Sequence, residues 1–198
     1  MIYIAGYRRA GNHFLIESLK KNFEGEFLKI HDRFDDINGK LIHIIRDPID
    51  TLASNYRWWY ASGESGKANI RGQMQSHSFQ EYIRGQIPIE NIRYGGSGIP
   101  KTQQWMGSHF KDPVLCLKKY LESFNASNLS VVYYENLRID PFSTLIKIGK
   151  SASLVKKEIC KYEKVDHKVG HDPDQVPPFD ITADDKKYIW DTWRGNKL

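Results

Sequence analysis

The chain has 198 residues, 40% of them hydrophobic and 27% charged, which gives room for one domain with a real core and little room for two. A net charge of +5 is mild: it suits an anionic small-molecule ligand as well as nucleic acid, and no basic run is long enough to be a polybasic tail. The two cysteines, Cys116 and Cys160, lack CxxC spacing, which argues against a zinc ribbon or disulfide framework and makes a reducing compartment the default.

In chain order, residues 1–7 (MIYIAGY) are β-branched and aromatic and predict a strand, and Gly11-Asn12 leads into a helical pattern over 13–23. Residues 26–31 (EFLKIH) predict a second strand. Residues 40–46 (KLIHIIR) predict a third, whose near-continuous apolar run suits a buried parallel strand. Asp47-Pro48 then offers an N-cap and a first-turn proline, so a helix is expected to about Trp59. Residues 62–72 read as a polar, Gly-rich loop, 78–84 as a short helix and 94–100 as a second Gly-rich loop. Helical patterns return over 101–109 and 113–124, a strand over 129–134, and helices over 141–150 and 154–164. Residues 166–180 hold three prolines and one glycine and read as a loop, and 183–193 as a last helix. Strands alternating with helices predict a single α/β domain over 1–198, with a central parallel sheet flanked by helices. The aliphatic stretches are too short for a membrane span. The N-terminus opens on strand-like sequence rather than a signal peptide, so the cytoplasm is the simplest location.

Two segments carry candidate chemistry. Gly6 to His13 (GYRRAGNH) joins the first strand to the first helix, where main-chain N–H groups and a helix N-terminus can face a phosphate. Arg8, Arg9, Asn12 and His13 add donors. The glycine spacing is that of a P-loop, but Asn12 and His13 stand where the P-loop lysine and the Mg²⁺-binding Ser/Thr belong, which points away from ordinary ATP or GTP chemistry. Taken alone, the segment reads as well as a tight turn with two solvated arginines. The second segment is Arg46-Asp47-Pro48-Ile49-Asp50-Thr51-Leu52-Ala53-Ser54-Asn55-Tyr56. It puts a cation at a strand's C-terminal end, where open parallel sheets bind ligands, and a hydroxyl about two turns into the next helix.

Together these segments resemble the sulfotransferases that use 3′-phosphoadenosine 5′-phosphosulfate (PAPS). Tyr7 to Phe14 (YRRAGNHF) is similar to that family's 5′-phosphosulfate loop, YPKSGTTW or YPRSGNTW. Arg46 to Tyr56 matches its 3′-phosphate motif, RDPxDxxxSxY. Lys29-Ile30-His31 resembles its KxH, Tyr134-Glu135-Asn136-Leu137 with Asp140-Pro141 its YEDLxxDP, and Lys168-Val169-Gly170 with Phe179 to Thr182 a degenerate form of its late RKG…FT region. Arg9 stands where lysine is usual, Arg8 replaces proline, Ala10 replaces Ser or Thr, Phe14 replaces Trp, and the late region lacks its arginine.

The resemblance implies a sulfotransferase-like fold and sulfonate transfer from PAPS to a hydroxyl or amine on a small-molecule or carbohydrate acceptor, releasing PAP. It implies no metal, nucleic-acid or membrane partner. His31 is then the general base and Arg9 the residue at the leaving oxygen, with Arg8, Arg9, Ala10, Gly11, Asn12, His13, Phe14, Arg46, Ser54, Tyr134, Lys168 and Gly170 binding the donor. His13 reads more readily as a helix-start donor than as a base, and Phe14 as packing. The chain is short for the family, which leaves room for an oligomer that completes the acceptor site. A P-loop-type nucleotide kinase and a non-catalytic nucleotide-binding protein of the same fold stay open as alternatives.

Overall fold

Parallel strands do form the sheet. In a computed structural model of the chain, which describes residues 1–30, 39–61, 68–88, 110–123, 129–158, 161–162 and 176–195, the elements in order are β1 (Ile2–Gly6), α1 (Asn12–Asn22), β2 (Phe27–Ile30), β3 (Lys40–Ile45), α2 (Pro48–Ala61), α3 (Ala68–Gln75), α4 (Phe79–Ile83), α5 (Pro113–Glu122), β4 (Leu129–Tyr133), α6 (Tyr134–Ile139), α7 (Pro141–Ser151) and α8 (Ala183–Arg194). The strand order is β2-β1-β3-β4, every pairing parallel. The chain divides into two compact units, Met1–Asp47 with Tyr120–Lys168 and Pro48–Lys119 with Val169–Leu198.

The sheet belongs to the first unit. Its inner strands carry the apolar runs: Ile4 and Ala5 of β1 and Ile42 and Ile44 of β3 are fully buried, as a strand covered on both faces requires. A polar residue interrupts the buried run of β3. His43, mid-way along β3, is 1% exposed and lies edge-on to Tyr120, which in turn lies edge-on to Tyr7. Burial pushes the His43 imidazole down to about 4 from its ordinary 6.5. The unfolded chain therefore takes up a proton on this residue at a pH where the folded chain does not. Its contribution to stability is complete above pH 6.5 and is lost as pH falls toward 4, by at most about 3 kcal/mol. Urea midpoints at pH 7 and pH 4 should differ less in His43→Leu than in wild type, and an equal difference would show that His43 takes no part in acid unfolding.

Two predicted elements need correction. Residues 154–158 are not helical. After α7 the chain turns back, with Ser153 at φ 48 and the Leu154 N–H bonded to the Gly149 carbonyl. Lys156 then bridges antiparallel to Phe23, while Glu24 donates to the Val155 carbonyl and Lys157 to that of Asn22. Pairing with the chain just after α1 overrides the helical propensity of this lysine-rich stretch. The polar loop expected over 62–72 is helical from Ala68. Met74 is fully buried and anchors α3, and Gly72 faces open space where its low helix propensity is tolerated. The loop over 94–100, the helix over 101–109 and most of the 166–180 loop lie outside the described residues.

The second unit has an aromatic core. Tyr56 of α2 meets Phe79, Tyr82 and Phe179 at ring distances of 5.0–5.8 Å, and Phe79 stacks on Phe179. Trp59 is fully buried, whereas Trp58 and Tyr60 are half-buried, so the aromatic run of α2 divides between core and surface. Asp185, at the start of α8, is buried. It accepts from the main chain and hydroxyl of Thr182, from Gln80 and from Arg84. Burial pushes its carboxyl up, but hydrogen bonds from Thr182, Gln80 and Arg84 outweigh that and hold it below the ordinary range. Among the described residues, no helix is long and apolar enough to cross a membrane.

Candidate functional site

The junction of β1 and α1 is a bent loop held from beneath. The Ala10 N–H bonds to the Tyr7 carbonyl at 3.0 Å, closing a turn with Arg9 at φ 65, and Gly11 follows at φ 102 as the N-cap of α1. Two left-handed positions so close together give the curvature that turns main-chain N–H groups toward a bound anion. No side chain caps α1, so the N–H groups of its first turn carry the positive end of the helix dipole. Asn12 braces the loop: its buried amide donates to the carbonyls of Gly6 (2.9 Å) and Tyr7 (3.3 Å). A β-carbon on Gly6 would collide with the Asn12 amide oxygen and meet Ile44 at 2.6 Å, so this closure requires glycine. Ala10 and Phe14 are buried, and the Phe14 ring lies edge-on to Tyr134 at 5.8 Å, which makes it a packing residue.

Among the described residues, several cations collect around this loop. Arg46, at the C-terminal end of β3, donates from Nη1 to the Arg9 carbonyl at 3.1 Å and lies over the Tyr134 ring at 4.6 Å. Arg9 is held below its ordinary pKa by burial and then by the Arg46 charge. Lys29, near the C-terminal end of β2, is likewise held down by burial and then by Arg8 and Arg9. Its Nζ lies 2.8 Å from His13 Nε2. Glu135 brings a carboxylate to the strand-end loop, accepting from the Asp47 N–H at 2.9 Å. Cations that depress one another in a half-buried space are stabilised together by a polyanion.

The structure thus brings Arg8, Arg9, Ala10, Gly11, Asn12, His13, Phe14, Arg46 and Tyr134 together in the first unit. Ser54 lies in α2 of the second unit, half-buried. His31, Lys168 and Gly170 lie outside the described residues. Two members of the site were not singled out as donor-binding from sequence. Lys29 stood only as the first letter of KxH. Glu135 stood only as a letter of YENL; its bond to Asp47 crosses 88 positions of the chain, and no local pattern shows it.

Comparison with known proteins bears on this site. No curated protein matches the sequence. Among solved structures the chain is similar to a crystal structure of mouse sulfotransferase SULT7A1 complexed with PAP. The two are 15% identical with a TM-score of 0.44, and the match covers 79% of this chain and 59% of that one. The chain therefore spans less than two thirds of that structure's length. A family model described as the sulfotransferase domain matches residues 26–158. That span takes in Lys29, the Arg46 to Tyr56 segment and the Tyr134 to Pro141 segment, and it leaves out the loop at 7–14. Since it covers more than half of the sequence, the chain belongs to the sulfotransferase domain family.

Proposed function

We propose that this chain transfers a sulfonate group from PAPS to a hydroxyl or amine of a small-molecule or carbohydrate acceptor, without a metal. The observation that carries the reading is the gathering of Arg8, Arg9, Lys29 and Arg46 around a glycine-braced loop and an uncapped helix N-terminus. These residues fit a ligand with several phosphate-type charges.

In the transfer, an acceptor oxygen or nitrogen forms a new bond to sulfur while the bond from sulfur to the bridging oxygen breaks, and that oxygen keeps the electron pair as PAP leaves. Arg9 and the first-turn N–H groups of α1 stabilise the charge that builds there. His31 takes the acceptor's proton. Arg46 binds the 3′-phosphate and Tyr134 serves the adenine, while Ser54, Lys168 and Gly170 are donor-binding residues by the motifs they belong to. The whole chain works as one domain in this reading, since each compact unit is assembled from two separate stretches of sequence. The sparse, unpatterned cysteines suit a reducing location such as the cytoplasm.

Calorimetry with PAP in EDTA tests the donor assignment, and consumption of PAPS across hydroxyl, phenol, amine and carbohydrate acceptors tests turnover. Metal-free binding that needs the 3′-phosphate fits a sulfotransferase and not a nucleotide kinase. Binding without turnover of any acceptor would favour the non-catalytic alternative. Arg46→Ala should weaken PAP by roughly ten- to a hundredfold, the effect of a lost charge-assisted contact of about 1.5–3 kcal/mol. An unchanged affinity would remove Arg46 from the donor site.

A further inference from the structure

Lys29 and His13 meet where α1 and β2, consecutive in the chain, lie side by side. His13 opens the first turn of α1, and Lys29 sits near the end of β2, paired in register with Ile4 of β1. Their side-chain nitrogens are 2.8 Å apart. An ammonium has three N–H donors and no acceptor, so the imidazole must accept, and it can do so only through an unprotonated Nε2. The contact therefore assigns His13 as neutral, with its hydrogen on Nδ1. Burial, and then the charges of Arg8 and Arg9, disfavour the Lys29 ammonium. A flexible four-carbon amine in that field swings toward solvent unless a hydrogen-bond acceptor holds it.

We propose that His13 is a positioning residue that holds the Lys29 ammonium beside the anion loop. The neutral imidazole accepts one N–H of Lys29, and the ammonium's charge and other donors stay at the loop. Asparagine or threonine at this position could not reach as far, while glutamine could. The assignment also removes His13 as a base, because its Nε2 lone pair is already engaged by a proton donor. The proposal rests on the donor-binding reading of the same loop.

Two experiments test it. The first needs no donor: long-range ¹H–¹⁵N spectra of the imidazoles at neutral pH, with the His13 signal assigned by its loss in His13→Gln. A neutral ring protonated on Nδ1 is expected, and a ring protonated on Nε2 would overturn the proposal even if PAP never binds. The second is a double-mutant cycle read by PAP calorimetry. His13→Phe should weaken PAP about tenfold in the wild-type background and should cost nothing further in Lys29→Met. His13→Gln should regain most of the affinity. An equal loss in both backgrounds, or a glutamine variant as weak as phenylalanine, would make His13 a general structural residue. If wild type fails to bind PAP while the Nδ1–H form is found, the donor reading fails and the Lys29–His13 pairing stands.

Discussion

His31→Asn should lower turnover by about 10²–10⁴-fold while leaving PAP affinity near wild type, the signature of a lost general base rather than a lost binding contact. His31 directly follows Ile30, the last residue of β2, which pairs in parallel with Ala5 of β1. Neighbouring strand ends in a parallel sheet open on one edge, and Lys29, two positions earlier, already reaches the first turn of α1. The end of β2 at Lys29 and Ile30 thus lies beside the loop that joins β1 to α1. The acidic limb of the pH–rate profile, which reports protonation of His31, should vanish in the variant. Wild-type kcat in His31→Asn with a turned-over acceptor would put the base elsewhere.

The second large effect is expected at Gly11. Its backbone sits at φ 102, and a β-carbon there would collide with Cδ2 of Tyr134 and approach Cε2 to 2.8 Å. Gly11→Ala combines backbone strain with overpacking, each about 1–3 kcal/mol, so a loss of roughly 2–6 kcal/mol is expected in denaturant unfolding. Tyr134 also lies beneath Arg46. Pushing its ring aside should therefore weaken PAP as well, by more than tenfold if the loop and the arginine move together. Gly11→Ala in a Tyr134→Ala background should cost less than the sum of the two single changes, because the colliding ring is gone. A destabilisation below about 0.5 kcal/mol would mean that the loop does not approach Tyr134 this closely.

Much of this architecture was legible from local pattern. The apolar run of β3 marked an inner strand, Asp47-Pro48 marked the start of α2, and Arg46 marked the C-terminal end of a strand. What stayed hidden is what depends on partners distant in sequence. The stretch after Ser153 has good helix formers, yet it pairs with the chain around Phe23, some 130 positions away. His13 and Lys29 each look ordinary alone, and only the parallel register of β1 and β2 brings the turn of α1 to the end of β2. The aromatic run of α2 could not be sorted into core and surface until Phe79, Phe110 and Phe179 were seen around it.

The sheet's pairing order also sets a schedule for synthesis. β1, β2 and β3 lie within the first 45 residues, but Leu129, the register partner of Leu41, is translated 88 positions later. At about 5–20 residues per second, the strand that closes the β3 edge arrives on the order of ten seconds after its neighbours. Through that interval the nascent chain presents an unpaired strand edge rich in isoleucine and leucine, the kind of surface that templates wrong pairings. Slower or crowded translation should therefore harm this protein through its half-built sheet, and a chaperone that shields β-strand edges early should raise its yield more than one that acts after release.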